Sequence, residues 1–380
     1  MSWNRIKLSK VATFRLGKML DKKKNKGDFQ RYLANVNVQW GKFVLDELRE
    51  MRFEQHELEK FGLKYGDIVM CEGGEPGRCA IWKDQIPGMM IQKALHRIRP
   101  NDCLNTEFLY YTFLHHGKTN RFSKLFTGST IKHLPREKLA LVEIDVPPLY
   151  TQQKIASILS AYDDLIENNH RRIQLLEQSA QMLYKEWFVR LRFPGHEQVE
   201  IVDGVPEGWD KKTLAEKEKV RKGKNITQES AVEGNIPVVA GGMEPSYYHN
   251  TSNVSGPVIT ISASGANAGF VNIYYEDIWA SDCSYINKES TIYFYFLYLT
   301  LKSRQKEIFN FQTGSAQPHV YPRHLEKLVL IFPPYRLSRF FEKLVSPNFL
   351  QIQILKRQNY CLAKARDLLL PRLMNGEIAV

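Results

Sequence analysis

The sequence is poor in cysteine, and its five cysteines are scattered with no C-x-x-C pair among them. An odd set of this kind predicts neither a disulfide framework nor a zinc ribbon, and it fits a reducing cytoplasm. Long hydrophobic runs are also absent. The longest, residues 292–301, is about half of a membrane span and is better interpreted as a buried helix. The first ten residues carry charges throughout, so we expect no signal peptide.

Motifs of the common nucleic-acid enzymes are missing as well. Gly117-Lys118-Thr119 has Thr112 where a phosphate-binding loop needs its first glycine, and the Glu-x-Lys tripeptide of many restriction nucleases does not occur. The ten histidines show no H-x-x-x-H or similar metal spacing. We therefore predict no catalytic residue and no metal ligand in the chain.

What the sequence does contain is enough apolar material for folded cores and an excess of positive charge. Its 380 residues, 43% of them hydrophobic, exceed the usual size of a single core and favour two domains. The formal net charge of +12 indicates a polyanionic partner, nucleic acid before an acidic membrane.

An internal repeat organises the chain. Seven residues recur after a shift of 186 positions without a gap. The first copy has Thr127, Gly128, Ser129, His133, Leu139, Pro147 and Pro148, and the second has Thr313, Gly314, Ser315, His319, Leu325, Pro333 and Pro334. Weaker matches pair Trp3 and Leu8 with Trp209 and Leu214, residues 108–110 with 296–298, and residues 66–69 with 256–259. Each half therefore reads as an α/β unit of roughly 150 residues followed by a helix.

Each helical segment carries a heptad seam, in which apolar residues alternate at steps of four and three. Pro347 should kink or start the second helix, and Pro371 should end it. The first seam is Ile155, Leu159, Tyr162, Ile166, Asn169, Ile173, Leu176, Ala180, Leu183 and Trp187. The second is Phe341, Val345, Asn348, Ile352, Leu355, Asn359, Leu362, Arg366, Leu369 and Leu373.

We expect the two helices to pair antiparallel, because neither seam is stable in water and the chain must return. Full register places Asn169 opposite Asn359, either as a pair that fixes the register or as two separately solvated side chains.

The connecting segments resemble the specificity subunit of type I restriction-modification enzymes. The resemblance covers the whole chain. It is carried by residues 146–148 with 152–155, by Asn168-Asn169 and Trp187-Phe188 in the first helix, by residues 206–209, and by the terminal residues 366–377.

The resemblance implies a fold of two α/β (α+β) target recognition domains separated by two long antiparallel coiled-coil helices. The expected boundaries are 1–148 for the first domain, 149–192 for the first spacer helix, 193–334 for the second domain with its linker 193–208, and 335–380 for the second helix. It further implies that each domain reads half of a bipartite DNA site, while the helices set the spacing and dock methyltransferase subunits, expected to be two, to which restriction subunits attach. S-adenosylmethionine, ATP and magnesium would be bound by those partners. The second copy lacks the paired glutamine and has Ser338 instead, so the two helices need not dock partners equally.

Two alternatives remain at this stage. Residues Phe332-Pro333-Pro334-Tyr335 resemble the catalytic N-P-P-Y of DNA adenine methyltransferases, but Phe332 replaces the residue that binds the target amine. The first copy reads Val146-Pro147-Pro148, so a strand end leading into a helix explains both prolines better. The other alternative is a non-catalytic coiled-coil scaffold, which would not need polar, basic and aromatic loops.

Candidate DNA-binding residues fall into two kinds, those for phosphate and those for bases. The phosphate candidates are Lys22, Lys24, Lys222, Lys224 and Asn225 in basic loops, together with Gly128, Ser129, Lys132, His133, Gly314, Ser315, Gln317 and His319 in the repeated cluster. A solvated loop and a structural turn are the alternatives. The base candidates, which should differ between the copies, are Arg78 and Glu75 in the first domain and Tyr247, Tyr248, His249, Ser264 and Asn267 in the second.

Overall fold

The computed structural model describes residues 3–21, 25–314 and 317–380. The chain divides into two compact units, which are described separately. Unit 1 comprises Met1–Asn168 with Gln358–Val380, and unit 2 comprises Asn169–Arg357. Each unit therefore contains a globular part and a portion of both long helices.

Unit 1 is built on a four-stranded antiparallel sheet of order β2-β10-β7-β8, with a three-stranded sheet of order β6-β3-β9 beside it. Helix α2 covers the first sheet, and Asn105 begins that helix by accepting a hydrogen bond from the Phe108 amide at 2.8 Å. The elements are β1 (Asn4–Lys7), β2 (Ala12–Leu16), β3 (Asp28–Leu33), β4 (Val38–Gln39), β5 (Lys42–Phe43), β6 (Arg49–Phe53), α1 (Gln55–Phe61), β7 (Ile68–Cys71), β8 (Cys79–Ile81), β9 (Met90–Ile91), β10 (Leu95–Pro100), α2 (Thr106–Lys118), α3 (Arg136–Ala140), β11 (Glu143–Val146) and α4 (Leu149–Tyr184).

Unit 2 repeats this topology. Its four-stranded sheet has the order β15-β21-β18-β19 and its three-stranded sheet the order β17-β16-β20. The elements are β12 (Ile201–Val202), β13 (Val205–Pro206), β14 (Asp210–Thr213), α5 (Leu214–Lys217), β15 (Arg221–Lys222), β16 (Ile236–Val239), β17 (Tyr247–His249), β18 (Val258–Ser262), β19 (Val271–Tyr274), β20 (Trp279–Ala280), β21 (Cys283–Asn287), α6 (Phe294–Ser303), α7 (Gln305–Phe309), α8 (Pro322–Leu325), β22 (Val329–Phe332) and α9 (Tyr335–Met374).

The repeat found in the sequence is confirmed by hydrogen bonding. The Leu8 amide donates to the Val142 carbonyl at 2.8 Å, and the Leu214 amide donates to the Leu328 carbonyl at the same distance. Both leucines are fully buried. Strands β1 and β11 pair antiparallel in one unit, as β14 and β22 do in the other. The central strands β7 and β18 are buried throughout; β7 is entirely apolar, whereas β18 also buries Thr260 and Ser262.

The predicted antiparallel pairing of the helices holds within each unit. In unit 1, Ile155 and Leu159 of α4 share a core cluster with Leu370 and Leu373 of α9. In unit 2, the Asn348 side chain donates to the Leu176 carbonyl at 3.5 Å. Further along α4, the ring of Trp187 lies 5.7 Å from that of Phe341. Later residues of α4 therefore contact earlier residues of α9, as in an antiparallel pair.

Both predicted seams are removed from solvent, since every seam residue is buried or half-buried. Asn169 and Asn359 are 7% and 9% exposed. That they face one another stays a prediction. The first helix ends in a π-helical turn over Lys185–Val189.

Pro347 does not start α9 and Pro371 does not end it, so these expectations were wrong, while a kink at Pro347 stays a prediction. The helix starts at Tyr335, before Pro347, and continues past Pro371 to Met374. Pro347 has no N–H to offer the Lys343 carbonyl, and the Ser346 hydroxyl donates to that carbonyl instead, at 3.4 Å. Near Pro371, Leu370 and Leu373 are each 1% exposed in the core of unit 1. Burial of these leucines outweighs the loss of one helical hydrogen bond.

No helix in the described part of the chain is long and apolar enough to cross a membrane.

Candidate nucleic-acid interface

In each unit the repeated Thr and His residues pair antiparallel and close a short hairpin. Thr127 and His133 exchange backbone hydrogen bonds of 2.9 and 2.8 Å, and Thr313 and His319 exchange bonds of 3.0 and 2.8 Å. Gly128 has a φ of +91°, and a Cβ there would lie 2.1 Å from the Ile131 carbonyl oxygen. Gly314 has a φ of +99°. The glycines are therefore required by the turn itself.

Each hairpin packs on the loop that follows the central strand of its unit. The Leu134 amide donates to the Glu72 carbonyl at 2.7 Å, and the Val320 amide donates to the Ala263 carbonyl at 2.9 Å. These contacts bring the hairpins beside the Gly-rich loops that hold the predicted base readers. Sequence reasoning identified the hairpins and the loops separately, and the fold joins them into one surface in each unit.

The two histidines are oriented by different partners. In unit 1 the Nδ1 atom of His133 lies 3.0 Å from a carboxylate oxygen of Glu72, and its side chain is 45% exposed. In unit 2 the ring of His319 stacks on Tyr321, with the ring centres 5.5 Å apart. The backbone of the hairpin is thus shared between the units, whereas its side-chain surroundings are not.

Only part of the predicted cluster is offered to solvent. Gly128, Ser129 and Lys132 are exposed in unit 1, as are Gly314 and Gln317 in unit 2. Ser315 lies outside the described residues, and so do Lys22 and Lys24 of the first basic loop. Lys132 and Gln317 are the exposed long polar side chains that the two turns present.

Arg78 is held inside the fold of unit 1. Its Nη1 atom donates to Glu75 at 2.8 Å and its Nη2 atom donates to the Asn35 carbonyl at 3.0 Å. The Arg78 side chain is 13% exposed, whereas that of Glu75 is 70% exposed. Arg78 therefore supports the loop, and it would have to release these partners before it could contact a base.

The corresponding loop of unit 2 is fixed by polar contacts of its own. Ser264 donates a hydrogen bond from its hydroxyl to Asp282. The Asn267 carbonyl accepts from the Phe270 amide at 2.9 Å, while the Asn267 side chain is half-buried. Both predicted residues thus lie beside the hairpin, on a loop whose backbone is constrained.

The aromatic run of β17 divides between the two faces of its strand. The Tyr247 hydroxyl donates to the Ile226 carbonyl at 2.5 Å. His249 is buried, with its ring edge-on to Trp279 at 5.0 Å. Tyr248 points the other way and is 56% exposed. Of these three candidates, Tyr248 is therefore the one presented to solvent.

The second basic loop has a backbone fixed by hydrogen bonds and exposed lysine side chains. Lys222, Lys224 and Asn225 are all exposed. The Lys224 amide donates to the Ala280 carbonyl at 2.9 Å, and the Lys224 carbonyl accepts from the Trp279 indole at 2.8 Å. The backbone here is thus fixed while the two lysines are exposed, which suits contacts to phosphate.

The fragment that resembles a methyltransferase motif is part of the core. Phe332 ends β22, is 1% exposed, and its ring lies 5.4 Å from that of Tyr293. Pro333 and Pro334 lead directly into α9. The prediction of a strand end followed by a helix is confirmed.

Sequence reasoning missed two features. A polar network in unit 1 joins Arg366 of α9 to Asp163 of α4, which also accepts from the Tyr111 hydroxyl at 2.7 Å. An exposed aromatic and basic ribbon, formed by β3 and β6, was missed too. The alternation of Phe29 and Arg31 with Gln30 and Tyr32 was its only signal in the sequence.

The chain thus consists of two units of the same topology, each with a portion of two long paired helices. Comparison with known families identifies the class of protein that has this organisation. The family described as type I restriction modification DNA specificity domain matches residues 2–178 and 206–337. The chain belongs to this family, and its two repeats are DNA specificity domains. The matches give no support to the methyltransferase alternative.

Individual relatives agree with this assignment. The chain is 30% identical over 344 residues to the type I restriction enzyme MjaIX specificity subunit of Methanocaldococcus jannaschii, with 83% of this chain and 78% of the relative covered. It is 24% identical over 450 residues to the HindI specificity subunit of Haemophilus influenzae, covering 92% and 96%. The crystal structure of the S subunit from M. genitalium has the same fold, with a TM-score of 0.62 at 20% identity over 98% of this chain and 96% of that one.

Proposed function

We propose that the protein is the non-catalytic specificity subunit of a type I restriction-modification complex, in which each unit reads one half of a bipartite DNA site. One observation carries the proposal. The two units share the backbone hydrogen bonds of the short hairpin, but the loop on which it packs carries Glu75 and Arg78 in one unit and Ser264 and Asn267 in the other. A constant scaffold that presents different side chains is what two dissimilar half-sites require.

The long helices supply the second part of the proposal. They extend over Leu149–Tyr184 and Tyr335–Met374, long enough to set the spacing between half-sites. Opposite their buried seams they expose large apolar side chains, a pattern typical of a surface that binds another protein. They include Leu165, Leu175 and Met182 on α4 and Leu350, Tyr360 and Leu368 on α9. We propose methyltransferase subunits, two in number, as the occupants, with restriction subunits attached to them.

The chemistry belongs to those partners in this proposal. They would bind S-adenosylmethionine, ATP and magnesium, while this chain selects the sequence, in the cytoplasm where the DNA lies. A simple coiled-coil scaffold is the rival function. It does not account for the exposed lysines of the second basic loop, which a spacer does not need.

The decisive experiment is selection from randomised duplexes by this subunit assembled with its methyltransferase. We expect a split, asymmetric motif and an affinity that falls steeply with salt. A matched complex that carries Lys222→Gln and Lys224→Gln should bind more weakly with a smaller salt dependence. Recovery of one continuous motif, or of none, would contradict the proposal of two readers.

A further inference from the structure

A two-stranded ribbon projects from the smaller sheet of unit 1. Strand β3 pairs with β6 from Asp28 to Tyr32, whereas β9 pairs only with Tyr32 and Leu33. Over residues 28–31, β3 is therefore paired with β6 but not with β9. We define the β3–β6 ribbon as residues 28–31 and 50–53.

The two faces of the ribbon differ in character. Met51 and Phe53 point inward, are each 1% exposed, and pack with Phe61 of α1. Phe29 and Arg52 lie directly opposite one another on the outer face. Phe29 is 58% exposed. An aromatic ring so exposed on a basic strand pair indicates a contact surface, because the core on the other face is already filled.

Arg52 is held in place before any partner binds. Its guanidinium carbon lies 4.4 Å from the centre of the Phe29 ring. Its Nη1 atom donates to the Gly27 carbonyl at 3.1 Å, and its amide donates to the Asn25 side chain at 2.8 Å. A cation fixed in this way loses little conformational entropy on binding, so it is suited to a directed contact.

The surroundings of the ribbon favour a polyanion. Lys26 precedes the strand pair and is exposed, while Arg31 on the outer face is paired with Glu50 at 3.8 Å, so Arg52 is the outer-face arginine without an acidic partner among the described ion pairs. The sequence also places residues 22–24, all lysine, within a few positions of its start. A two-stranded ribbon has the dimensions of the DNA major groove, where arginine binds guanine and apolar side chains contact the thymine methyl group.

Unit 2 carries a different side chain at the matching place. Tyr32 and Val238 are equivalent, because each is the residue at which its strand meets the parallel third strand. The pairing of β16 with β17 then sets Tyr248 at the position of Glu50. Tyr248 is exposed on the same face. The exposed outer side chain at this position therefore differs between the two units.

We propose that the β3–β6 ribbon enters the DNA major groove at one half-site, with Arg52 at a base edge and Phe29 against the neighbouring base. This inference rests on the proposed function and adds to it the surface through which unit 1 reads sequence. The hairpin with Lys132 would then supply phosphate contacts of its own.

The test uses the complete specificity subunit assembled with its methyltransferase, and selection from randomised duplexes is repeated with Arg52→Met and with Phe29→Ala. Methionine keeps an apolar chain over the Phe29 ring and removes the guanidinium group. We expect Arg52→Met to weaken binding to the wild-type motif by about tenfold and to relax base preference at one half-site only. Lys10→Met, at an exposed lysine on the turn after β1, is the control and should change neither. Unchanged thermal melting of each variant shows that it is folded.

The outcomes separate the two proposals. A wild-type complex that selects no split motif contradicts the proposed function. A wild-type split motif that Arg52→Met and Phe29→Ala leave intact, with unaltered affinity, overturns the ribbon inference alone. An equal loss of affinity on every sequence would assign Arg52 to phosphate and would also overturn base reading by the ribbon.

Discussion

Gln152 and Ser338, which lie 186 positions apart, hydrogen-bond to equivalent carbonyl groups at the start of the two long helices. The Gln152 side-chain amide donates to the Pro147 carbonyl at 2.9 Å, and the Ser338 hydroxyl donates to the Pro333 carbonyl at 3.2 Å. Both side chains are almost completely buried. The missing glutamine of the second copy is therefore replaced in structure by a serine with the same partner.

Gln152 has further partners that Ser338 lacks. Its carbonyl oxygen accepts from the Asn105 amide at 2.9 Å, at the residue that begins α2. In unit 2 this role passes to Glu342, one turn further along α9, which accepts from the Phe296 amide at 2.9 Å. The first turn of the helix on the sheet is thus tied to a long helix in both units, by different residues.

Replacing Gln152 should therefore cost more stability than replacing Ser338. Gln152→Leu leaves the Asn105 amide and the Pro147 carbonyl buried without this partner, and we expect a loss of about 2 kcal/mol in the free energy of unfolding. Ser338→Ala should cost about 1 kcal/mol. Gln153→Leu, at the exposed neighbouring position, is the matched control. Urea unfolding of the three variants measures the order, and an equal effect at Gln152 and Gln153 would refute the assigned role.

Glu342 should make the stability of unit 2 depend on pH. Burial raises the pKa of its carboxyl group from 4.5 to about 7, against the opposing effect of the Phe296 and Tyr295 amides. Since the folded state prefers the protonated form, the stabilisation is complete below pH 4.5 and is lost as the pH rises to about 7.

Glu342→Gln should remove this dependence and keep an acceptor for the amides. The free energy of unfolding of the wild type, relative to that of the variant, should fall by about 2 to 3 kcal/mol between pH 4.5 and pH 8. Glu289→Gln, at an exposed position before α6, should run parallel to the wild type. Parallel curves for the wild type and Glu342→Gln would show that folding does not raise the pKa of this carboxyl group.

The repeat and the seams could be predicted from the sequence because each depends only on the spacing of residues along the chain. Spacing of apolar residues on a helix survives folding unchanged, so seam positions such as Ile173 and Ile352 are buried as expected. The sequence could not show that Arg78 is bound within the fold and so is not free to contact a base. Its partner Asn35 lies 43 positions away and approaches it only in the folded sheet. The continuity of α9 through Pro371 likewise depends on tertiary packing, which local propensity does not report.

The ion pair between Asp163 and Arg366 should couple the two long helices in unit 1. The pair is partly buried, with side chains 30% and 18% exposed, and Tyr111 of α2 binds the same carboxylate. Either Asp163→Ala or Arg366→Met leaves the other charge partly buried without this partner, so each single change should cost about 2 kcal/mol. The double variant should cost less than the sum, with a coupling energy of about 1 kcal/mol or more.

A double-mutant cycle by urea unfolding measures this coupling. The cycle of Arg5 with Asp145, an exposed pair in which Arg5 lies on β1, is the comparison. Its coupling should be weaker than that of Asp163 with Arg366, as for surface pairs in general. Equal coupling in both cycles would mean that the Arg366 network adds nothing beyond a surface contact.

Lys132 should contribute to affinity without contributing to sequence preference, since it is exposed on the turn of a hairpin whose glycine and histidine fix the backbone. In the complex with the methyltransferase, Lys132→Gln should weaken binding to all duplexes alike and reduce the slope of log K against log salt by about one. Lys64→Gln, at an exposed lysine after α1, should leave the slope unchanged. Filter binding at several salt concentrations distinguishes the two. A change of preferred sequence with Lys132→Gln would instead make the hairpin a base reader, and an unchanged slope would remove it from the interface.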